Sequence, residues 1–170
     1  EPLGLLTDCH RRIEKFLELL QRAVREHARA PLDTPTAEAI RNAQRYFAKA
    51  APKHTADEEE SLFPRLRAAA ATQGKDCKAI ARLEGDHEQA DRLHAQVDGL
   101  LEVWLRDGSL PAERFTELGS VLATLRELYR EHIHVEEAEV FPLAGSLLSP
   151  SDLSAVGSEM RARRGLPAQE

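Results

Sequence analysis

Four long stretches of this chain repeat their apolar residues at helical spacing, and proline and glycine punctuate the breaks between them. The first runs from about Leu5 to about Ala28, with an apolar stripe of Leu6, Ile13, Phe16, Leu17, Leu20 and Val24. After the loop ARAPLDTP, Thr36 is placed to cap a second helix that runs to about Ala71. Pro52 lies inside that helix and predicts a kink, because its ring nitrogen has no hydrogen to donate to the preceding turn. Gly74 ends it. The third helix spans about Lys75 to Arg106, with Ile80, Leu83, His87, Ala90, Val97, Leu101 and Trp104 on one face. The turn DGSLP leads to a fourth, from about Pro111 to about Leu147, carrying Leu118, Leu122, Leu125, Tyr129 and His132. Ser149 to Asp152 opens a short fifth helix that reaches about Arg163.

Long amphipathic helices joined by short connections predict an all-α protein: an up-down-up-down four-helix bundle with a short C-terminal fifth helix. The 170 residues read as a single domain, the bundle covering about 5–147 and the last helix about 150–163. The fifth helix either packs across one end or frays. Composition agrees, since aromatics are only 5% of the chain and Ala, Leu, Glu and Arg dominate.

The net charge of −6 argues against a general binder of nucleic acid or anionic membranes. The basic run Arg161, Arg163, Arg164 is too short to alter that. No apolar run approaches the roughly 20 residues that span a bilayer. The first residues, EPLGLLTDCHRR, carry no basic region ahead of an apolar stretch, so no signal peptide is expected. Two cysteines, Cys9 and Cys77, form neither a CxxC pair nor a disulfide framework, which points to a reducing cytoplasm.

The histidines carry the chemistry. Each long helix holds a histidine on its apolar stripe followed four residues later by an acid: His10 and Glu14, His54 and Glu58, His87 and Asp91, His132 and Glu136. Residues at i and i+4 share a helix face, so each pair offers a nitrogen and an oxygen to the same place. Counted from the end of the bundle where the first and second helices join, the four histidines lie about 27–32 Å deep at 1.5 Å per residue. They also continue the apolar stripes, so they are expected to point inward with their acids. A single inward histidine is more often a satisfied core residue than a ligand. Four such pairs at one depth are costly to bury unless the groups are paired or bound to metal. Mixed nitrogen and oxygen donors suit iron or a similar divalent transition metal, and bridging carboxylates in a bundle core suit two of them.

The segments DCHRRIEKF, HTADEEESLFPRL, DHEQADRL and EHIHVEEAEVFPLA resemble the hemerythrin-like HHE cation-binding family. An H-x-x-x-E followed by Phe-Pro occurs twice, at His54/Glu58 with Phe63-Pro64 and at His132/Glu136 with Phe141-Pro142. The resemblance covers about residues 5–147. It implies that Glu58 and Glu136 bridge two non-haem iron ions in an Fe–O–Fe type centre, which another divalent metal can replace on purification. The terminal ligands it implies are His10, His54, His87 and His132. Where the family's oxygen carriers have a further histidine, this chain has Asp91, and their final Asp, five residues after the last histidine, is here Glu136 at four. The pattern is thus closer to the bacterial branch with four His and two Glu that includes repair-of-iron-centres proteins. Glu14 and Asp91 are additional candidates, either as further ligands or as partners that orient the imidazole N–H groups. The Phe-Pro pairs read as an aromatic plug below the site and a terminator of regular hydrogen bonding.

His94 reads as a core or entry-path residue, His27 and His134 as exposed, Tyr129 as packed core and Cys9 as a small buried residue. The function expected is a di-iron-binding protein that binds or senses O2 or NO, or holds labile iron, with no separate catalytic base or nucleophile in view. A ferritin-like oxidase or peroxidase is the alternative; Glu84-x-x-His87 has the Glu-x-x-His form such a site needs, but the four histidine–acid pairs run in the opposite order. A metal-free bundle that docks a partner helix is the third reading. The expected partner is a small diatomic ligand or iron, with no nucleic acid and no membrane.

Overall fold

A computed structural model describes residues 1–28 and 30–167. Helix α1 spans Pro2–His27. The second rod is built from α2 (Thr34–Lys49), α3 (Ala51–Ala56), a π-helical segment (Asp57–Leu62) and α4 (Phe63–Thr72). The third is α5 (Lys78–Asp107). The fourth joins α6 (Ala112–Val135), a second π-helical segment (Glu136–Val140) and α7 (Phe141–Leu147). A final helix, α8, covers Pro150–Arg163. The described residues contain no strand, so the all-α bundle with a short C-terminal helix is the architecture observed. Among the described residues no helix is long and apolar enough to cross a membrane.

The helix ends follow local chemistry, with some shifts from the sequence reading. The first helix begins at Pro2, where Glu1 accepts from the backbone N–H groups of Leu3 and Gly4. The second is capped by Asp33, whose side chain accepts from Thr36 N–H at 2.8 Å; Thr36 itself lies inside the first turn. The third starts three residues later than expected, at Lys78. Gly74 and Gly108 take positive φ of 63° and 71° and close the second and third rods. Pro52 acts as anticipated: the α-helix is interrupted at Ala50, two residues before it.

The Phe-Pro pairs do not terminate the hydrogen bonding. Proline at 64 or 142 cannot donate to the carbonyl four residues back and crowds it. The chain answers by widening one turn, so that Phe63 N–H reaches Glu58 O and Phe141 N–H reaches Glu136 O across five residues. Both rods then continue as α-helix.

Two apolar clusters stabilise the bundle. One holds Ile13, Leu17, Ile40, Trp104, Leu118 and Leu122. The other holds Leu6, Leu62, Phe63, Leu83, Phe141, Val156 and Met160. Full burial of each such side chain contributes about 1.5–3 kcal/mol before entropy is counted. Helix α8 does not fray. Val156 and Met160 enter the second cluster, and Arg163 and Arg164 both pair with the buried Asp57, at 3.0 and 2.6 Å. Part of the basic run of the sequence is thus a clamp on the first π-helical segment.

Candidate metal centre

A layer of buried polar side chains is drawn from all four rods. His10 comes from α1, His54 from α3, Glu58 from the first π-helical segment, His87 from α5, His132 from α6 and Glu136 from the second π-helical segment. All six are buried. Their donor atoms fall into two groups, His10–His54–Glu58–Glu136 and Glu58–His87–His132–Glu136, each within 4.8 Å. Both groups share the same two carboxylates.

The contacts inside this layer are close yet are not aligned as hydrogen bonds. His10 Nε2 lies 2.9 Å from Glu136 Oε2, His54 Nε2 3.2 Å from Glu58 Oε1, and His87 Nε2 3.2 Å from Glu58 Oε2. His132 Nε2 lies 3.4 Å from Glu136 Oε2. Even so, both oxygens of Glu58 and of Glu136, and Nε2 of His10 and His87, have no hydrogen-bond partner. Native interiors rarely leave carboxylate oxygens in that state. Nitrogen and carboxylate donors aimed at common points fit transition-metal cations.

The outward face of the layer is held by a second set of carboxylates. His10 Nδ1 donates to Glu137 at 2.9 Å and His87 Nδ1 donates to Glu59 at 2.7 Å. Each acceptor directly follows one of the shared glutamates. His132 Nδ1 lies 3.5 Å from Asp86. A carboxylate can only accept, so Nδ1 carries the hydrogen and Nε2 faces inward. Arg11 grips Glu137 at 2.5 Å and Glu14 at 2.6 Å.

Electrostatics reflect this crowding. Burial by itself lowers the basicity of His10, but Glu136 and Glu58 overcome it and push its pKa up to about 10. His87 is likewise pushed up to about 9 by Glu58 and Glu59 against the effect of burial. His54 moves down because burial dominates. Burial raises Glu58, but His54, His10 and His87 together hold it well below the usual carboxylate range.

Glu14 and Asp91, expected to face inward, are exposed, and neither belongs to the two groups. Glu14 reaches His10 only through Arg11 and Glu137. On both helices the residue at i+4 leans away from the shared centre, and acids from other rods occupy the outer positions. Glu59 and Glu137, which orient His87 and His10, and Asp86, which lies beside His132, are residues that the sequence reading missed. For Glu59 and Glu137 the available signal was their position immediately after the repeated H-x-x-x-E. Glu84 points elsewhere, pairing with Arg67 at 2.6 Å.

The remaining residues fall as follows. Phe141 stacks on His10 at 5.6 Å between ring centroids, and Phe63 on His87 at 6.4 Å, which bears out the aromatic plug. His94 is half-buried, and burial pushes its pKa down to about 4; its Nε2 lies 3.0 Å from the Tyr129 hydroxyl. His134 is exposed. His27 is buried rather than exposed, within hydrogen-bond reach of Ala23 O at 3.2 Å and Asp33 at 3.3 Å at the end of α1. Cys9 is half-buried.

Fold and site together define a helical bundle with two buried groups of possible metal donors that share two carboxylates. A family model described as the hemerythrin HHE cation-binding domain matches residues 1–144. The chain belongs to the hemerythrin HHE family. It is also 30% identical, over 169 residues, to a protein of Haemophilus influenzae (strain ATCC 51907 / DSM 11121 / KW20 / Rd) that is described as an uncharacterized protein. That match covers 96% of this chain and 90% of the relative.

Proposed function

We propose that this protein binds two non-haem iron ions and uses them to bind or sense O2 or NO. The single observation that supports this reading most is the pair of four-residue groups sharing Glu58 and Glu136. His10 and His54 would hold one ion and His87 and His132 the other, with both carboxylates common to the two. Each ion would be offered two imidazoles and the two shared carboxylates, and among the described residues no further protein donor belongs to either group. Iron so held would supply redox chemistry and open positions for a small ligand.

The chain's own residues do the rest. Glu137 and Glu59 fix the tautomers of His10 and His87, and the Phe141 and Phe63 rings cover those imidazoles. Holding labile iron for delivery, as in the four-His, two-Glu branch, is the companion reading of the same site. The ferritin-like enzyme reading ranks below both, because Glu84 is engaged by Arg67. A metal-free bundle ranks last, since it leaves the inward oxygens of Glu58 and Glu136 without partners. The free thiols Cys9 and Cys77 support a cytoplasmic location.

The test is iron content measured together with the visible spectrum, reduced and after exposure to air. About two irons per chain with charge-transfer bands supports the reading, and spectral change on adding NO or O2 to the reduced protein separates ligand binding from iron storage. One ion or none, without such bands, would sink it.

A further inference from the structure

Outside the metal layer, the most unusual cluster of charge lies where α1 meets the junction of α2 and α3. A pocket of about 210 Å3 there is lined by Cys9, Arg12, Tyr46, Lys49, Ala50, Lys53 and Arg164. Four of the seven lining residues are cations, and none is acidic. The protein as a whole carries −6, so chance does not favour such a set.

The cations divide into two kinds. Arg164 is anchored, with one guanidinium nitrogen on Asp57 at 2.6 Å and the other on Met160 O at 2.7 Å. Asp57 is shared with Arg163, so two positive charges meet one negative charge behind the pocket. Arg12, Lys49 and Lys53 are exposed and form no ion pair among the described residues. Lys49 and Lys53 stand four residues apart, one turn along the same rod, a spacing at which like charges repel. Arg12 from α1 adds a third charge to the same concavity. Such an arrangement costs stability unless something anionic joins it.

The wall is firm. The Tyr46 hydroxyl donates to Cys9 O at 3.3 Å, and its ring stacks on Phe16 at 4.6 Å between centroids. A rigid aromatic wall and a fixed guanidinium make a preorganised floor, over which the two flexible lysines can close. The volume lies below the roughly 300–1,000 Å3 of pockets that take drug-sized ligands, so the occupant is small.

We propose that this pocket is a binding site for a small tetrahedral oxyanion, either inorganic phosphate or the phosphate of a small ester, held by Arg12, Lys49 and Lys53 over Tyr46. The pocket lies beside the metal layer: Cys9 precedes His10, Lys53 precedes His54, and Arg164 holds the neighbour of Glu58. The proposal rests on the cations and the concavity and is independent of which metal the protein binds.

The experiment is calorimetric titration of the full chain, as isolated and iron-loaded, at fixed ionic strength, in two arms: inorganic phosphate and glycerol phosphate. The comparison proteins are a Lys49→Glu/Lys53→Glu double variant and an Arg22→Glu/Arg25→Glu control, whose charges lie on α1 away from the pocket. Saturation near one anion per chain in either arm is expected, with affinity weakened about tenfold or more in the lysine variant and unchanged in the control. The tighter arm identifies the free ion or the ester as the better ligand. Metal content and unfolding temperature of the lysine variant should match the parent, which keeps loss of binding distinct from loss of fold. Absence of saturation at millimolar anion in both arms overturns the proposal. So does binding that survives in the lysine variant, which would place the anion elsewhere, the metal layer included.

Discussion

His10 Nδ1 donates to Glu137 at 2.9 Å, across the interface between the first and fourth rods, while the residue before Glu137 turns inward to face His10 Nε2. One imidazole therefore has consecutive glutamates at its two nitrogens, hydrogen-bonded to the outer one and only close to the inner one. The same relation recurs between His87 and the pair Glu58–Glu59. Each π-helical segment thus presents one glutamate to the centre and the next to the back of a histidine from another rod.

If Glu137 and Glu59 orient imidazoles, their amide variants should bind metal less well without losing sites. Glu137→Gln and Glu59→Gln are each expected to weaken metal affinity about 10- to 100-fold, with the number of ions at saturation unchanged. Competition against a chelator of known affinity measures this. Unchanged affinity in both would show that these hydrogen bonds are incidental.

Replacing a shared carboxylate should act differently. Glu58→Ala removes a donor common to both groups, so metal content at saturation should fall from two ions to one or none. Glu14→Ala and Asp91→Ala, at exposed positions, should leave it at two. Elemental analysis of all three distinguishes the two kinds of acid.

The pH dependence has a definite sign in the metal-free protein. His10 and His87 have pKa values raised to about 10 and about 9. Their contribution to stability is complete below the unfolded histidine value of about 6.5 and is lost as pH rises through about 9 and about 10. Glu58 is lowered, so its contribution is present above about 4.5 and fades as pH falls below that. His54, lowered by burial, costs stability as pH falls below about 6.5, so the metal-free protein should be most stable near pH 6.5 and weaken toward pH 10. Metal uptake has to displace protons from His10 and His87, so affinity should rise with pH over that upper range. Urea unfolding at a series of pH values checks the first statement, and proton release on metal addition checks the second.

Asp57 should be among the costliest positions outside the metal layer to leave unpaired. Its carboxylate is fully buried between Arg163 and Arg164. Arg163→Met with Arg164→Met leaves that charge without its partners, and the expected loss is about 3–5 kcal/mol in denaturant unfolding. A loss under about 1 kcal/mol would mean that water replaces the arginines.

Much of this protein is written along the chain. Stripes at helical spacing, broken by Gly74, Gly108 and the Ser149 capping box, determine helices whatever the tertiary context, because their causes lie within a few residues. The H-x-x-x-E repeats also carry their own geometry, since four residues bring His54 to Glu58 and His132 to Glu136 on one face. The same spacing misleads at His10 and His87. There the partners come from other rods, Glu137 and Glu59, and only the packing of helices decides which acid reaches an imidazole. His27 was legible only as a polar residue near a helix end; its burial depends on how the following loop returns to Asp33. The widened turns at Glu58 and Glu136 arise where a local constraint, a proline, meets a tertiary one, the need for the rod to go on packing. The role of Arg163 and Arg164 is tertiary altogether. Nothing near them in sequence asks for a cation, and Asp57 does so from more than one hundred residues away, because a buried carboxylate is stable only when opposite charge is brought to it.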